Sequence, residues 1–451
     1  MLSLAAVCLL SGDLVSMTFR DLGVAADFAG LLAERGVTSP FAIQTAAIPD
    51  ALAGRDVCGK APTGSGKTIA FGLPLVERVA ATAGKARPRH PRALVLAPTR
   101  ELASQIEREL RPLAALRRRS VATFFGGVGF GPQLAALRSG CDIAVACPGR
   151  LADLVRQGEL HLDEVAVVVI DEADRMADMG FLPEVRRLLD RVPSDRQTLL
   201  FSATLDGDVD VLVKRYQRTP VRHEAEGEGG GVTEHLFWKV SRDQRVGTVA
   251  GLATKHWATL VFCRTKLGAD RVAKQLGQRG VTAAAIHGDR SQSQRERALA
   301  AFTAGDVAAL VATDVAARGI HVDDVACVVH FDPPADEKDY VHRSGRTGRA
   351  GRDGTVVTLV SEDTAAGVRQ LQRRLGLPSG TAAPDVVVPP ADSRSAVEPL
   401  SPAPVSRQGR GPGSRRGSAP RPAAPRPGAR GHRASARSGS GRRRSRPVRG
   451  G

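Results

Sequence analysis

The chain has 451 residues, of which 42% are hydrophobic and 25% are charged. This length excludes one ordinary globular core and predicts two domains with additional segments. The formal net charge is +17, but residues 401–451 hold fourteen arginines and no lysine, aspartate or glutamate, which leaves +3 for residues 1–400. Such a cationic block attracts polyanions, and RNA or DNA is favoured over an acidic membrane surface.

The N-terminal residues 1–10 are apolar, yet no lysine or arginine precedes them and the first arginine is Arg20. This arrangement disfavours a secretion signal. We expect residues 1–16 to be an upstream extension, or the product of a misplaced start codon before Met17. No stretch approaches the roughly 18 apolar residues that a membrane span needs, so we expect a cytoplasmic protein without a membrane partner.

The cysteines are scattered along the chain and include no CxxC pair, which argues against a disulfide framework or a zinc site. They are Cys8, Cys58, Cys141, Cys147, Cys263 and Cys327.

Short β-branched apolar runs alternate with amphipathic segments in the first half of the chain. The runs lie at residues 57–60, 93–97, 143–146, 165–170 and 198–201. Such runs are typical of parallel strands buried on both faces and joined by helical crossovers. We predict an α/β lobe over residues 17–223. The acidic, glycine-rich residues 224–231 then form a flexible linker.

The alternation resumes in the second half, with strand-like runs at residues 259–263, 283–286, 308–312, 327–330 and 355–360. We predict a second α/β lobe over residues 232–378. Beyond it the chain loses its periodicity, and residues 401–451 contain no Phe, Tyr or Trp. Such a segment cannot bury enough apolar surface to offset its ordering entropy, so residues 379–451 are predicted to be a disordered basic tail.

A phosphate-binding loop is predicted after the strand at residues 57–60. Gly64 and Gly66 let the backbone N–H groups turn toward a phosphate chain at the positive end of a helix. Lys67 reaches the β- and γ-phosphates, and Thr68 ligates Mg²⁺. The alternative, a glycine-rich loop with a surface lysine, fits the strand–loop–helix order less well. The complete loop is Ala61, Pro62, Thr63, Gly64, Ser65, Gly66, Lys67 and Thr68, with alanine in place of the usual first glycine.

An acidic sequence, Asp171-Glu172-Ala173-Asp174, follows the strand at residues 165–170. Carboxylates at the end of a buried strand lie where α/β proteins bind ligands. One carboxylate can hold Mg²⁺ and the next can orient or deprotonate the attacking water. Acidic residues at this place often only cap a helix, but the phosphate-binding loop upstream makes capping an insufficient explanation.

These motifs resemble those of the DEAD-box ATP-dependent RNA helicases of superfamily 2, of the bacterial type, over residues 19–360. Eight motifs occur in family order: APTGSGKT at 61–68, PTREL at 98–102, PGR at 148–150, DEAD at 171–174, SAT at 202–204, VFCRTK at 261–266, TDVAARGI at 313–320 and HRSGRTGR at 342–349. The resemblance implies two tandem RecA-like lobes with parallel sheets, followed by the arginine-rich tail.

The resemblance also implies a role for individual residues at the nucleotide. Gln44 would read adenine, and Phe19 corresponds to the isolated aromatic residue upstream of it. Asp171 would hold the metal and Glu172 would be the general base. The second lobe would supply arginine fingers from HRSGRTGR. The residues implied in catalysis are Lys67, Asp171, Glu172, Arg346 and Arg349, with Arg343 in the same motif.

Further residues are implied in coupling and in RNA binding. Asp174, Ser202, Ala203 and Thr204 would couple the nucleotide site to lobe closure. The RNA backbone would follow a path across both lobes. That path comprises Pro98, Thr99, Arg100, Gly126, Gly127, Gly149, Arg150, Thr265, Thr313 and Asp314.

Three positions depart from the family pattern. Val37 stands where an aromatic ring usually stacks on adenine, so base binding should weaken by about 0.5–1.5 kcal/mol. His321 replaces an aspartate associated with the ribose, and Asp323 lies two residues further along. Cys147 replaces a threonine before PGR, which removes one hydroxyl contact to RNA.

The resemblance implies an RNA-stimulated ATPase that uses ATP and Mg²⁺ and unwinds or remodels RNA locally when its lobes close. Two alternatives stay open: an ATP-gated RNA clamp or scaffold with slow turnover, and a DNA-acting translocase on the same frame. Partner proteins would come from ribosome assembly or RNA decay. The tail is predicted to tether RNA through its phosphates, with a merely solubilising extension as the alternative.

Overall fold

The computed structural model describes residues 17–62, 64–225, 231–317, 325–348 and 352–388. These residues fold as two α/β lobes, and each lobe is built around one sheet of parallel strands. The predicted fold class is therefore confirmed. No helix in the described ranges is long and apolar enough to cross a membrane.

The first lobe contains a seven-stranded sheet covered by helices. Its strands are β1 (Val57–Lys60), β2 (Ala93–Leu96), β3 (Val121–Phe124), β4 (Ile143–Ala146), β5 (Val167–Asp171), β6 (Gln197–Ser202) and β7 (Val221–Glu224). Its helices are α1 (Ala26–Glu34), α2 (Ala42–Leu52), α3 (Lys67–Ala80), α4 (Arg100–Leu116), α5 (Phe130–Ser139), α6 (Pro148–Arg156), α7 (Ala173–Asp178), α8 (Leu182–Leu189) and α9 (Asp208–Tyr216).

The strands of the first sheet lie in the order β3-β4-β2-β5-β6-β1-β7. Successive residues of β5 face opposite sides: Val167 and Val169 belong to one hydrophobic cluster, whereas Val168 and Ile170 belong to another. Both faces of the sheet are thus buried, which explains the continuous apolar runs in the sequence. The order places the carboxyl ends of β5, β6 and β1 side by side.

The second lobe contains a six-stranded sheet with the order β10-β11-β9-β12-β13-β8. The strands are β8 (Thr233–Lys239), β9 (Thr259–Phe262), β10 (Ala283–Ile286), β11 (Ala309–Ala312), β12 (Cys327–His330) and β13 (Gly354–Val360). The helices are α10 (Arg245–Lys255), α11 (Lys266–Gly277), α12 (Gln292–Thr303), α13 (Asp314–Ala317), α14 (Glu337–Ser344) and α15 (Ala365–Leu375).

The lobe boundaries differ slightly from the sequence expectation. The first lobe was expected to end at residue 223, but β7 runs through Glu224. The N–H of Ala225 then donates to the carbonyl of Lys60 (2.9 Å). The second lobe was expected to end at residue 378, but the segment 379–388 packs against it. Most of the expected linker and the rest of the expected tail, residues 226–230 and 389–451, lie outside the described residues.

The segment 379–388, which we call the strap, covers the edge of the second sheet. The N–H of Ala382 donates to the carbonyl of Phe237 (2.8 Å), and the N–H of Lys239 donates to the carbonyl of Ala382 (2.9 Å). The strap then crosses α10 where that helix carries Gly251. A Cβ added to Gly251 would lie 2.6 Å from the carbonyl oxygen of Val387. The strap therefore satisfies backbone groups of an edge strand and requires a glycine beneath it.

Replacement of Gly251 by alanine is expected to destabilise the second lobe. The new Cβ meets a backbone oxygen, so the strap or the helix must shift, at a cost of about 1–3 kcal/mol. The matched control is Gly367→Ala in α15, where an added Cβ meets no atom within 4 Å. That control should be neutral or stabilising by up to about 1 kcal/mol, because alanine is the better helix former. Thermal unfolding of both variants tests this, and equal stability of the two would contradict it.

Candidate nucleotide and nucleic-acid site

Three predicted motifs meet at one edge of the first sheet. The phosphate-binding loop follows β1, SAT begins at the end of β6, and DEAD begins at the end of β5. The N–H of Ala61 donates to the carbonyl of Ser202 (3.0 Å), and Asp171 stands opposite Phe201 in the register of β5 and β6. Parallel pairing therefore brings together residues that lie more than one hundred positions apart in the chain.

The glycines of the phosphate-binding loop have the backbone conformation that such a loop needs. Gly64 has φ +86° and Gly66 has φ +78°, and α3 begins directly after Gly66. Both values lie in the left-handed region that other residues rarely adopt. An added Cβ at Gly66 would overlap with the side-chain amide of Gln44. The loop thus presents backbone N–H groups at a helix N-terminus, where an anion is favoured.

Lys67 lies where it can reach a bound phosphate. Its buried ammonium group donates to the carbonyls of Ala61 (2.9 Å) and Pro62 (3.0 Å), and the hydroxyl of Ser65 also donates to the carbonyl of Pro62 (2.8 Å). Thr68 lies in the first turn of α3 and is half-buried. A phosphate chain in the loop would compete with these carbonyls for the lysine. Thr63 lies outside the described residues.

Gln44, the expected adenine reader, is fixed against the phosphate-binding loop. Its carbonyl oxygen accepts from the N–H of Phe41 (2.9 Å), and its amide nitrogen donates to the carbonyl of Gly66 (2.9 Å). These bonds use one amide hydrogen and one lone pair, and the side chain is fully buried, so a ligand could reach the second of each only after a local rearrangement. Phe19 is only 2% exposed and belongs to the core, and Val37 is half-buried against the same core.

The acidic motif contains a buried ion pair with Arg175, a residue that the motif assignments did not include. Glu172 has φ +52°, a left-handed conformation that is unusual outside glycine. Its Oε2 accepts from Nη1 of Arg175 at 2.7 Å, and the two side chains are 6% and 10% exposed. Burial lowers the pKa of Arg175, whereas the neighbouring Glu172 opposes that shift and the guanidinium of Arg346 adds to it. The expected general base therefore lies in direct contact with a buried cation.

The expected coupling residues are joined by hydrogen bonds. The hydroxyl of Ser202 accepts from the N–H of Asp174 (3.1 Å), and the carboxylate of Asp174 accepts from the N–H of Thr204 (3.3 Å). Ala203 and Thr204 are exposed. A displacement of the SAT segment would therefore break or move the hydrogen bonds of Asp174 in α7, the helix that begins at the DEAD motif.

On the first lobe, the expected RNA path is built from loop residues held by side chains. Thr99 accepts from the N–H of Leu102 (3.3 Å) and caps α4 directly after the buried Pro98. Gly127 follows β3 after Gly126 and has φ +77°, and an added Cβ there would overlap with the guanidinium of Arg100. The glycine pair thus leaves room for an arginine against the backbone.

Arg150, which is expected on the RNA path, is largely buried in this structure. It is 9% exposed, donates to the carbonyl of Val128 (3.1 Å), and lies over the ring of Phe130 with 3.9 Å to the ring centre. Burial lowers its pKa. Arg150 therefore supports the loop after Gly127, and it is its neighbour Gly149, at the start of α6, that is exposed.

Cys147 occupies the N-cap position of α6 and makes no capping hydrogen bond. Burial raises the pKa of its thiol to about 12, and the nearby Glu101 adds to the shift. A threonine at this position could cap the helix, as serine and threonine commonly do. The departure expected to remove an RNA contact thus also leaves the helix start without a side-chain cap.

On the second lobe, Thr265 accepts from the N–H of Gly268 (3.0 Å) and caps α11, and Thr313 is buried at the end of β11. Asp314 was expected on the RNA path, but both of its carboxylate oxygens accept from Arg343 (2.6 and 2.7 Å). This bidentate pair connects α13 to α14 and gives both residues a structural role.

Arg346 is 7% exposed and lies close enough to Arg175 to influence its pKa. Among the other expected second-lobe residues, Arg349 and His321 lie outside the described residues.

Ion pairs connect the two lobes beside this site. Glu101 of α4 pairs with Arg295 of α12 at 3.0 Å, with side-chain exposures of 6% and 9%. Asp178, at the end of α7, pairs with Lys338 of α14. Sequence reasoning missed these residues because their partners lie far apart in the chain. Only Arg175 had a local signal, since it lies three residues after Glu172 and on the same helical face.

The donor set fits a magnesium ion that is completed by a nucleotide. Within the described ranges, no three His, Cys, Asp or Glu side chains converge as a metal site. Mg²⁺ in phosphate-transfer sites uses one or two protein oxygens together with phosphate and water. The hydroxyl of Thr68 and the carboxylate of Asp171 are oxygens of this kind at one end of the sheet.

Comparison with known proteins agrees with this geometry. A family model for DEAD/DEAH box helicases matches residues 41–212, and a model for the helicase conserved C-terminal domain matches residues 245–351. The ATP-dependent RNA helicase RhlB of Pseudomonas syringae pv. tomato is 39% identical over 79% of this chain and 92% of its own length. The chain belongs to the DEAD-box helicase family.

Longer relatives and solved structures extend the comparison. The mitochondrial DEAD-box ATP-dependent RNA helicase 9 of Arabidopsis thaliana is 38% identical over 81% of this chain. The chain spans 50–61% of the length of the first plant relatives that it matches. The structure of Saccharomyces cerevisiae Dbp5 bound to RNA and ADP BeF3 matches 82% of this chain and 96% of its own, with 26% identity and a TM-score of 0.70.

Replacement of Arg175 by methionine is expected to destabilise the protein by about 3–5 kcal/mol, because the buried Glu172 charge loses its cation. The matched control is Arg187→Met, which removes an exposed pair with Glu184 at the same three-residue spacing. That control should change the free energy of unfolding by no more than about 0.5 kcal/mol.

Denaturant unfolding of a double-mutant cycle isolates the interaction between the two charges. Arg175→Met should cost much less in a Glu172→Gln background, since no carboxylate charge is then left behind. An equal cost in both backgrounds would show that the ion pair does not account for the loss.

Proposed function

We propose that this protein is an ATP-dependent RNA helicase that hydrolyses ATP to ADP and phosphate. Closure of its lobes would be coupled to local unwinding or remodelling of RNA. The observation that carries the proposal is the junction of the lobes. Lys338 of the second lobe pairs with Asp178 of α7, the helix that begins at the DEAD motif, and Arg346 of the same lobe is near enough to Arg175 to lower its pKa. A triphosphate held by that loop would be completed by groups from both lobes.

The nucleotide would be held by the loop from Ala61 to Thr68, with Lys67 moving from loop carbonyls to the phosphates. Mg²⁺, held by Thr68 and Asp171, would neutralise phosphate charge during transfer. Glu172 would accept the proton of the attacking water. Arg346 and Arg349 would neutralise charge that develops on the γ-phosphate, which is the main requirement of phosphoryl transfer.

Communication between the sites would run through the hydrogen bonds of Asp174. Because its N–H and carboxylate bind Ser202 and Thr204, loss of the γ-phosphate at the DEAD motif can shift the SAT segment. The ion pairs Glu101–Arg295 and Asp178–Lys338 would form and break as the lobes close and open.

RNA would be held through its backbone, without sequence readout. Helix starts and loops of both lobes would contact the RNA backbone. On the first lobe these are at Pro98, Thr99, Arg100, Gly126, Gly127 and Gly149, and on the second lobe at Thr265 and Thr313. Arg150 and Asp314 would support these loops from beneath. The likeness to Dbp5 bound to RNA and ADP BeF3 supports this assignment, because the chain matches that structure across both lobes.

The domain plan that accompanies this function has a first lobe from residue 17 to about 225 and a second from 231 to 388. The basic tail begins after the strap and would tether RNA through phosphates. The protein would act in the cytoplasm, with partner proteins from ribosome assembly or RNA decay.

A second candidate function is an ATP-gated RNA clamp with slow turnover. The Glu172–Arg175 pair favours it, because a general base that neutralises a buried arginine is a weaker base toward water. Turnover distinguishes the two candidates, since both require the same binding of ATP and RNA.

RNA-stimulated ATP hydrolysis by the wild type, Lys67→Ala and Glu172→Gln is the direct test. Lys67→Ala should lose nucleotide binding, because the loop loses its only lysine for the phosphates. Glu172→Gln should still bind ATP and RNA but hydrolyse at least about 100-fold more slowly, in line with loss of a general base.

The polynucleotide is identified by comparing single-stranded RNA and DNA of equal length as activators. The helicase proposal expects stimulation by RNA well above that by DNA. Equal stimulation would favour a DNA-acting translocase, and no stimulation by either would refute both.

Truncation after Leu400 is expected to weaken RNA binding and to flatten its salt dependence, because fourteen arginines that release counterions are removed. The RNA-independent ATPase should be intact, since the strap and both lobes remain. Binding titrations at several salt concentrations measure the slope. An unchanged slope would assign the tail a solubilising role.

A further inference from the structure

One aromatic ring beside the phosphate-binding loop is exposed. The aromatic side chains of this chain all lie within the described ranges, and only Phe41 (43%) and Trp257 (58%) are exposed among them. Phenylalanine is usually buried, because its ring contributes a large apolar area. Phe41 precedes α2, whose first residue Ala42 is also exposed, whereas the following Ile43 and Gln44 are fully buried.

Hydrogen bonds fix Phe41 to the phosphate-binding loop. Its backbone N–H donates to the side-chain Oε1 of Gln44, and the side-chain Nε2 of Gln44 donates to the backbone carbonyl of Gly66, both at 2.9 Å. The ring itself lies over the loop, since a Cβ added to Gly66 would be 2.7 Å from Cδ2 of Phe41. One edge of the ring thus rests on the glycine while the side chain as a whole stays accessible.

Other residues do not offer such a ring at this place. Phe19 is 2% exposed and packs in the core, so little of its face can contact a ligand without a rearrangement. Val37 has no ring and packs against the same core. Trp257 lies in the second lobe, between α10 and β9.

We propose that Phe41 covers one face of the adenine of bound ATP and is thus a specificity-determining residue. The inference rests on the proposed ATP site and deepens it. Phe41 would stack on the face of the base, and the fully buried Gln44 would bind the edge of the base after a local rearrangement. Offset stacking of a phenyl ring on a purine needs only an accessible, fixed ring within about 4.5–7 Å between centres. Phe41 would therefore provide the aromatic surface that Val37 lacks.

The test compares two ligands that share a triphosphate chain, only one of which carries a nucleoside. Calorimetric titrations of full-length protein with Mg²⁺ would use ATP and inorganic tripolyphosphate. Phe41→Ala should weaken ATP binding about two- to twelvefold, the range of an aromatic pair. Tripolyphosphate binding should be unchanged. Phe41→Tyr, which keeps a ring, should bind ATP like the wild type.

Trp257→Ala is the matched control, because it removes the other exposed ring from the second lobe. It should leave both dissociation constants unchanged. Thermal unfolding of each variant shows whether the first lobe is intact. If the alanine variant does not fold, Phe41→Leu, which keeps an apolar side chain without a ring, takes its place and should weaken ATP binding in the same way.

The outcomes distinguish a failure of the role of Phe41 from a failure of the proposed ATP site. Equal weakening of ATP and tripolyphosphate would mean that Phe41 only supports the loop, and unchanged ATP binding would mean that it contacts no base; either result overturns the role of Phe41. If the wild type itself binds neither ligand, the proposed ATP site fails.

Discussion

The parallel pairing of β5, β6 and β1 is the constraint on which the site depends. It places the phosphate-binding loop, the SAT segment and the DEAD motif at one sheet edge, although they lie far apart in the chain. The bond between the N–H of Ala61 and the carbonyl of Ser202 continues the pairing one residue beyond the strands. Because both faces of these strands are buried, a one-residue slip would misplace the core and the site together.

Several buried arginines of the described residues are held by ion pairs, backbone carbonyls or aromatic rings, and these contacts bear on which arginines can meet a ligand. Arg343 and Arg150 are engaged within their own lobes, so they support loops. Glu172 and Arg175 form a buried pair, and Arg346 of the second lobe is near enough to lower the pKa of Arg175. Removing one partner of such a pair is costly because the partner left behind keeps a buried charge.

The folded chain shows what the residues that depart from the family pattern contact. Cys147 leaves α6 without a side-chain cap, and Val37 contributes to the core. A ring is nevertheless exposed beside Gly66, supplied by Phe41 from the start of α2. A sequence comparison by position alone records a missing aromatic residue, whereas the structure shows a different one near the loop.

The amino-acid sequence by itself determined the two α/β lobes, the buried strands and the loop at residues 61–68, because these depend on local periodicity and motif order. Edge strands β3, β7 and β8 were not predicted, since their half-exposed residues lack a continuous apolar run. Tertiary structure alone decided the strap at residues 379–388, the burial of Arg150, and the ion pairs between lobes. Each of these depends on contacts between distant segments, which no local pattern in the chain records.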